Sequence, residues 1–316
     1  MILATSDSPV TARAVAFVAR HLEPAEAIGI SLAELINDPD AFAADLRLGL
    51  TSLADPDYLA GQRRIAPGIG PLHGVRSPLL AAVQRGFRAS TKGIPPTPLL
   101  FLADRLFREP TLEDRWFAFG LLQRTLALEA ERTWQLLRRA AREATDWITV
   151  DSLAHPFGNG IALEPFRWAE LEQLVYSSSR WERRLVGSTI ATMCPGARLK
   201  GQDPDLSRRG LALLSQLMGD AEPDVQKALA WAFRSLAGVD RDATDAALRA
   251  ETARATADAD GYRAWVIRDS LPKLDPSTAD SLRERLVGVR RRSGAPATSA
   301  AAETSARFDP TGVTRP

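Results

Sequence analysis

The spacing of apolar residues constrains this chain most. Apolar side chains recur at intervals of three and four, as at Leu79, Val83 and Phe87, which is the period of an amphipathic helix. Alternation with period two, which a half-buried strand requires, does not persist anywhere. Helix starts are indicated where a polar residue and a proline precede an apolar run, as at Thr111 and Pro223. The sequence therefore predicts an all-α protein.

A tryptophan inside an apolar and basic helix recurs along the chain. It occurs at Trp116, Trp181, Trp231 and Trp265. Helical pairs of about 40 residues that bury each other's faces form an α-solenoid. Because the spacing is irregular, HEAT-like units fit better than a strict array. We predict a HEAT-like helical-repeat α-solenoid.

The net charge of +1 conceals an uneven distribution. Residues 1–58 carry three arginines against nine acidic residues, whereas residues 59–140 carry thirteen lysines and arginines against six acidic residues. A basic stretch of this kind suits a polyanion, although solvated helix faces give the same pattern. Charge alone leaves both interpretations open.

Composition divides the chain into three parts. Residues 1–58 are interpreted as an acidic helical N-terminal extension and residues 59–291 as the repeat domain. Residues 292–316 are small, polar and poor in apolar bulk, which predicts a disordered tail.

Several classes of protein are disfavoured by what the sequence lacks. One cysteine, Cys194, and three scattered histidines argue against a disulfide framework or a zinc site, and there is no glycine-rich phosphate loop. We expect Cys194 to be a buried structural thiol, and we expect neither a metal nor a cofactor. No apolar run reaches the roughly 18 residues of a membrane span, and no secretory signal opens the chain. A cytoplasmic monomer that does not contact a membrane is expected.

Trp147 and Asp151 form the most informative pair. They are four residues apart, so on a helix they share one face. An indole face attracts positive charge and a carboxylate supplies the counter-charge, which together suit an oxocarbenium-like sugar. On spacing alone, a packing tryptophan beside a capping aspartate is the simpler interpretation.

A second helical stripe joins Lys227, Trp231 and Arg234. Two cations that flank an indole suit phosphates beside a stacked sugar or base. A core tryptophan whose neighbouring cations extend to solvent would give the same spacing.

Three arginines, Arg180, Arg183 and Arg184, lie within five residues of each other at a predicted helix start. They fit a phosphate-binding cluster or a solvated helix face equally well.

Taken together, five segments resemble the AlkD-type family of DNA alkylation-repair glycosylases. In chain order they are His73-Gly74-Val75-Arg76-Ser77-Pro78, Glu113-Asp114-Arg115-Trp116-Phe117-Ala118, Trp147-x-x-x-Asp151, Arg180-Trp181-Glu182-Arg183-Arg184 and Gln226-Lys227-Ala228-x-x-Trp231-x-x-Arg234. Their order and approximate spacing agree with the family from about residue 59 to 275.

The resemblance implies a curved stack of helical pairs whose concave basic groove binds double-stranded DNA and removes alkylated purines. It implies that Asp151 is the catalytic carboxylate and that Trp147 and Trp231 flank the damaged nucleotide. This family works on the sugar while the base stays largely unextruded, so no deep base pocket is expected. The implied DNA-binding residues are Arg184, Lys227, Arg234, Arg183 and Arg180.

Two features depart from the family pattern. Ile148 stands where an acidic residue is common, and the prolines and glycines between residues 153 and 165 predict that the helix after Asp151 ends early. Two alternatives stay open: a DNA-structure-binding protein of the same fold without catalysis, and a HEAT-like scaffold for protein partners.

Overall fold

The computed structural model describes residues 9–66, 68–194 and 205–291. Within these ranges the chain forms fifteen α-helices and three short 3₁₀ helices, and its only β-type pairing is an isolated bridge between Ala54 and Val75. None of these helices is long and apolar enough to cross a membrane. The all-α prediction is confirmed. Residues 292–316, the predicted disordered tail, lie outside the described ranges.

The chain divides into two compact units, Met1–Leu137 and Arg138–Pro316, with the division inside the seventh helix. The helices of the first unit are α1 (Pro9–Leu32), α2 (Pro39–Ser52), α3 (Pro56–Ile65), α4 (Ser77–Ser90), α5 (Pro96–Leu106), α6 (Leu112–Thr125) and α7 (Ala130–Glu143), which crosses the division. Those of the second unit are α8 (Trp147–Leu163), α9 (Trp168–Leu174), α10 (Arg180–Met193), α11 (Leu206–Leu217), α12 (Pro223–Leu236), α13 (Arg241–Ala257), α14 (Gly261–Ser270) and α15 (Pro276–Arg285).

In the first unit, α1 packs backbone to backbone against α4. A Cβ atom added at Gly29 would lie 2.0 Å from the carbonyl oxygen of Val83, and one added at Gly86 would lie 2.2 Å from the carbonyl oxygen of Glu26. Glycine is therefore required on both helices at this crossing. The contact fixes the N-terminal helix on the rest of the unit.

The loop before α4 is held by a buried carboxylate of α6. Glu113 accepts hydrogen bonds from the backbone N–H groups of His73, Gly74 and Val75, at 3.1, 2.8 and 3.2 Å. Tyr58, the last residue of the predicted extension, lies inside α3. The predicted boundary after residue 58 therefore falls within a helix of the first unit.

The second unit is a helical repeat. Helices α8, α10, α12 and α14 contact one another in succession and form one row, while α11, α13 and α15 form a second row packed against it. The recurring tryptophans Trp181, Trp231 and Trp265 lie on α10, α12 and α14 of the first row, and Trp147 lies on α8. The predicted helical-repeat architecture is confirmed, and all the predicted site residues lie on this first row.

Helix α8 does not end early, so that prediction was wrong. The helix continues through Pro156 to Leu163, although an interior proline costs about 3 kcal/mol. Gly158 is buried, and a Cβ atom there would lie 2.7 Å from Cγ of Met193 on α10. The glycine therefore permits close packing instead of breaking the helix. Tertiary burial outweighs helix propensity along the apolar face formed by Leu153, Phe157 and Ile161.

Cys194 follows α10 directly and is partly buried. Its thiol donates to the carbonyl oxygen of Ile190 at 3.2 Å, and burial raises its pKa to about 12. The thiolate is the reactive form of cysteine, so this environment suits a structural thiol.

Candidate active site

Helix α8 begins immediately before the predicted site. Asp146 is its N-cap: the carboxylate accepts from the backbone N–H of Thr149 at 2.8 Å and from the Thr149 hydroxyl at 2.7 Å. Trp147 is the first helical residue, and Asp151 lies one turn later on the same face. The capping aspartate is therefore Asp146, which leaves the Asp151 carboxylate available for another role.

Both oxygens of Asp151 are bound from α10. Arg184 donates from Nε to Oδ1 at 3.0 Å and from Nη2 to Oδ2 at 2.7 Å, and the Ser188 hydroxyl donates to Oδ1 at 2.6 Å. A guanidinium that binds both oxygens fixes the plane of the carboxylate. The Asp151 side chain is 21% exposed, whereas that of Arg184 is 5% exposed. The site therefore presents an oriented carboxylate that is supported from beneath by a buried cation.

The same arginine joins three helices of the row. Its Nη1 donates to the backbone carbonyl of Asp224, in the first turn of α12, at 2.6 Å. Its guanidinium carbon lies 5.8 Å from the ring centroid of Trp147, over the indole face. Arg184 thus holds α8, α10 and α12 together at Asp151. Because three of its donated bonds stay within the protein, the predicted contact with a DNA phosphate depends on its remaining N–H groups and stays a prediction.

The two site tryptophans differ from the packing tryptophans. Trp134 and Trp168 are almost completely buried, whereas Trp147 and Trp231 are partly exposed. Trp231 lies two turns beyond Asp224 on α12. The structure therefore brings Trp147, Asp151 and Arg184 into one cluster, with the indole of Trp231 further along the helix that Arg184 contacts.

Lys227 and Arg180 are the solvent-exposed cations among the predicted DNA-binding residues. Lys227 is exposed and has no ion pair with any residue that the structure describes. Arg180 is 47% exposed, packs over the ring of Trp181 at 4.6 Å and forms two long ion pairs, at 3.6 Å with Glu222 and at 3.9 Å with Asp224. Both side chains remain accessible to a polyanion.

Two further arginines have partners on neighbouring elements. Arg183 donates to Asp220 at 2.6 Å, and Arg234 donates to Asp269 at 2.9 Å. Their side chains are mostly buried. Like Arg184, these residues connect successive parts of the row, and their predicted phosphate contacts are untested.

Ser188 is the site residue that the sequence interpretation missed. It follows Arg184 by four residues, and this spacing places both side chains on one face of α10. The sequence signal for Ser188 is therefore a hydroxyl one helical turn after an arginine. Among the described residues, no group of three or more histidine, cysteine, aspartate or glutamate side chains could hold a metal ion.

The Asp151 cluster brings groups of different chemical character together. It contains an oriented carboxylate, an indole face and a buried guanidinium, while the exposed cations Lys227 and Arg180 lie elsewhere on α12 and α10. Residues 46–274 match the family model described as DNA alkylation repair enzyme, which covers more than two thirds of the chain. The matched segment includes all of α8, α10, α12 and α14. A search of curated proteins finds no match.

Proposed function

Because the chain belongs to the family of DNA alkylation repair enzymes, we propose that it is a DNA glycosylase that hydrolyses the N-glycosidic bond of alkylated purines in duplex DNA. The proposed substrates are 7-methylguanine, 3-methyladenine and bulkier adducts at N3 or N7. Alkylation at these nitrogens places positive charge on the base, which then leaves without protonation. The remaining chemical work is to stabilise the deoxyribose cation and to direct a water molecule at its anomeric carbon.

The geometry of Asp151 carries this proposal. Oδ1 accepts two hydrogen bonds, from Arg184 and Ser188, whereas Oδ2 accepts one from Arg184. A carboxylate oxygen has two acceptor positions, so Oδ2 keeps capacity for another partner. We assign Oδ2 the position nearest the sugar cation and the attacking water. Charge that is oriented before the reaction contributes several kcal/mol to such a step.

We assign to Trp147 and Trp231 the role of contacting the deoxyribose of the damaged nucleotide. Indole faces attract cations, and the partial exposure of Trp147 and Trp231 leaves surface for a deoxyribose. This exposure favours the nucleic-acid hypotheses over the scaffold alternative, in which both rings would be core. Because the chemistry acts at the sugar, the proposal requires no pocket for an extruded base.

The phosphates are assigned first to Lys227 and Arg180, which are the accessible cations of the row. Arg183, Arg184 and Arg234 would contribute through N–H groups not used within the protein. Counterion release then makes DNA affinity fall with salt, by roughly 0.9 log units per neutralised phosphate for each log unit of salt.

The test is base release under single-turnover conditions. The protein, in excess, is mixed with a duplex that carries one 7-methylguanine, with 3-methyladenine and a bulkier N3 adduct in parallel. An unmodified duplex and a protein-free sample are the controls. We expect release of the alkylated base and none from the unmodified duplex.

The two alternatives give different results. Salt-sensitive binding to every duplex without release of any base would contradict the glycosylase proposal and indicate a DNA-structure-binding protein. Neither binding nor release would indicate a scaffold for another class of partner.

A further inference from the structure

A basic groove lies between α1 and α3, within the first unit. It is an open cleft of about 460 Å³, which we name the α1–α3 groove. One face of α1, one face of α3 and the loop residue before α4 form its walls. Its charged lining residues are Arg13, Arg20, Arg64, Arg76, Asp55 and Asp57.

Three arginines of the groove have unsatisfied charge. Arg13, Arg20 and Arg64 are exposed, and no carboxylate in the described ranges pairs with them. Most of the other arginines that the structure describes do have such a partner, including Arg183, which binds Asp220. The groove therefore concentrates positive charge that the protein itself does not neutralise.

The acidic residues of the groove leave that charge in place. Asp55 caps α3 by accepting from the backbone N–H groups of Asp57 and Tyr58, and it accepts from Nε of Arg76 at 2.6 Å. Arg76 also packs over the ring of Tyr58, 5.1 Å from its centroid. Asp55 is thus engaged by one arginine and the helix end. The exposed carboxylate of Asp57 also lines the groove and forms no ion pair with a described arginine, so four arginines against two aspartates leave the groove with a net positive charge.

The α1 wall carries two arginines and an aromatic ring on one face. Arg13, Phe17 and Arg20 follow one another at intervals of four and three, so they share a face of α1. The glycine crossing with α4 holds that helix in position. Phe17 and Tyr58 add aromatic surface to the cleft, where Phe17 stacks on His21 and Arg76 packs over Tyr58.

We propose that the α1–α3 groove binds the sugar-phosphate backbone of DNA, in addition to the Asp151 site. Unpaired guanidinium groups and aromatic faces together are the chemistry that proteins use to follow a phosphodiester strand. The choice of DNA over a free phosphate compound rests on the proposed function. Helix α1 precedes the family-matched segment, residues 46–274, so this groove combines that segment with a helix outside it.

A charge-matched pair of variants tests the groove. The groove variant is Arg20→Ala with Arg64→Ala. The control is Arg63→Ala with Lys92→Ala, since both control residues are exposed, lack an ion pair among the described residues and do not line the groove. Each variant loses two positive charges. Circular dichroism and thermal unfolding are measured to check that each remains folded.

The measurement is the affinity for an unmodified fluorescent duplex over a salt series. For the groove variant we expect affinity at low salt to fall on the order of tenfold or more. The slope of log affinity against log salt should become shallower by about 0.9 for each phosphate that the variant no longer neutralises. The control variant should stay close to the parent on both measures. Equal affinities and slopes for the groove and control variants would overturn the inference.

A second arm separates DNA from free phosphate compounds. The same variants are titrated with ATP and with inorganic phosphate. If the groove variant loses ATP binding while its duplex affinity matches the control, the groove binds a free nucleotide and the DNA assignment is overturned.

The result is independent of catalysis because the duplex is unmodified. If the parent releases no alkylated base but the groove variant loses duplex affinity, the glycosylase proposal fails and the groove inference stands. If the parent releases the alkylated base and the groove variant binds duplex as the control does, the glycosylase proposal stands and the groove inference fails.

Discussion

The arginines of the Asp151 site and those of the α1–α3 groove are the same residue type in opposite situations. Arg184 is buried and makes its hydrogen bonds to Asp151 and to the backbone of Asp224. Arg20 and Arg64 are exposed and have no carboxylate partner among the described residues. The first arrangement fixes geometry, and the second supplies charge to a ligand.

This difference separates the expected effects of substitution. Removing one partner of a buried ion pair leaves an uncompensated charge in a poorly solvated place, which is strongly destabilising. Removing an exposed, unpaired arginine changes folding stability little, because its charge is already solvated. Substitution of Arg184 should therefore lower folding stability, whereas substitution of the groove arginines should lower DNA affinity.

The largest effect on stability is expected for Arg184→Ala. This change leaves the Asp151 carboxylate without its cation, so the free energy of unfolding should fall by about 3 kcal/mol. Denaturant unfolding measures it, with Arg180→Ala on the same helix as the exposed control. Adding Asp151→Asn to the Arg184→Ala chain should recover part of the loss. If the two substitutions were simply additive, Arg184 would not act through Asp151.

The next effect is expected for Ser188→Ala, which should lower the rate of base release. Loss of the hydroxyl removes one of the two hydrogen bonds to Oδ1 of Asp151, so base release at saturating protein should slow on the order of tenfold. DNA affinity should not change. The matched control is Thr189→Val, because the Thr189 hydroxyl is buried and has no hydrogen-bond partner among the residues that the structure describes. Equal rates for the two variants would show that Ser188 does not position the carboxylate.

The ion pair between Arg76 and Asp55 in the groove should make the free energy of unfolding depend on pH. Burial by itself raises the pKa of Asp55, but hydrogen bonds from Arg76 and from the first turn of α3 outweigh it, so the net pKa lies below the usual 3.8. A lowered pKa means that the ionised carboxylate stabilises the fold above pH 3.8 and that this contribution is lost as pH falls through the lower, folded-state pKa.

Arg76→Gln should therefore reduce the free energy of unfolding by about 1–2 kcal/mol at neutral pH, and by less once Asp55 is protonated. Urea unfolding between pH 2.5 and pH 7 measures this, with Arg64→Gln as the unpaired control. A loss of the same size at both ends of the pH range would show that Arg76 stabilises the fold by packing alone.

The smallest effect on stability is expected for the groove variant, Arg20→Ala with Arg64→Ala. Its free energy of unfolding should stay within about 0.5 kcal/mol of the parent. A loss above about 2 kcal/mol, measured by urea unfolding, would make these arginines structural and remove the contrast with Arg184.

Local sequence signals predicted the helices well where the signal and the packing agree. Thr111 precedes α6, and Pro223 begins α12, as expected from the polar residue and proline at helix starts. The periodicity of three and four also predicted the all-α fold. At Pro156 and Gly158 the same local rules were wrong, because the close contact of α8 with α10 depends on residues more than 30 positions away.

The sequence proposed the residues of the candidate site, whose roles stay predictions, but not how they are arranged. The spacing of Trp147 and Asp151 gave the shared helix face. That Arg184 would bind Asp151, and that Arg234 would bind Asp269, depends on contacts between separate helices, which local spacing does not contain. The α1–α3 groove was not predicted from the sequence for a related reason. Net charge averages over all faces of a segment, and two of the three arginines in the acidic N-terminal segment lie on one face of α1.

The central claim is that the charge of Asp151 drives base release. Asp151→Asn keeps the shape of the side chain and removes the charge. Because it also leaves the buried Arg184 without its anion, thermal unfolding is measured to check that the variant is folded. Its matched control is Asp224→Asn, whose side chain is 24% exposed against 21% for Asp151 and faces Arg180 only loosely, at 3.9 Å.

The decisive measurement is the single-turnover rate of 7-methylguanine release by these two variants and the parent, together with their duplex affinities. We predict that Asp151→Asn slows release on the order of tenfold to a thousandfold, with DNA affinity nearly unchanged, while Asp224→Asn releases the base at the parent rate. Release by Asp151→Asn at the parent rate would contradict the central claim and remove this carboxylate from the mechanism.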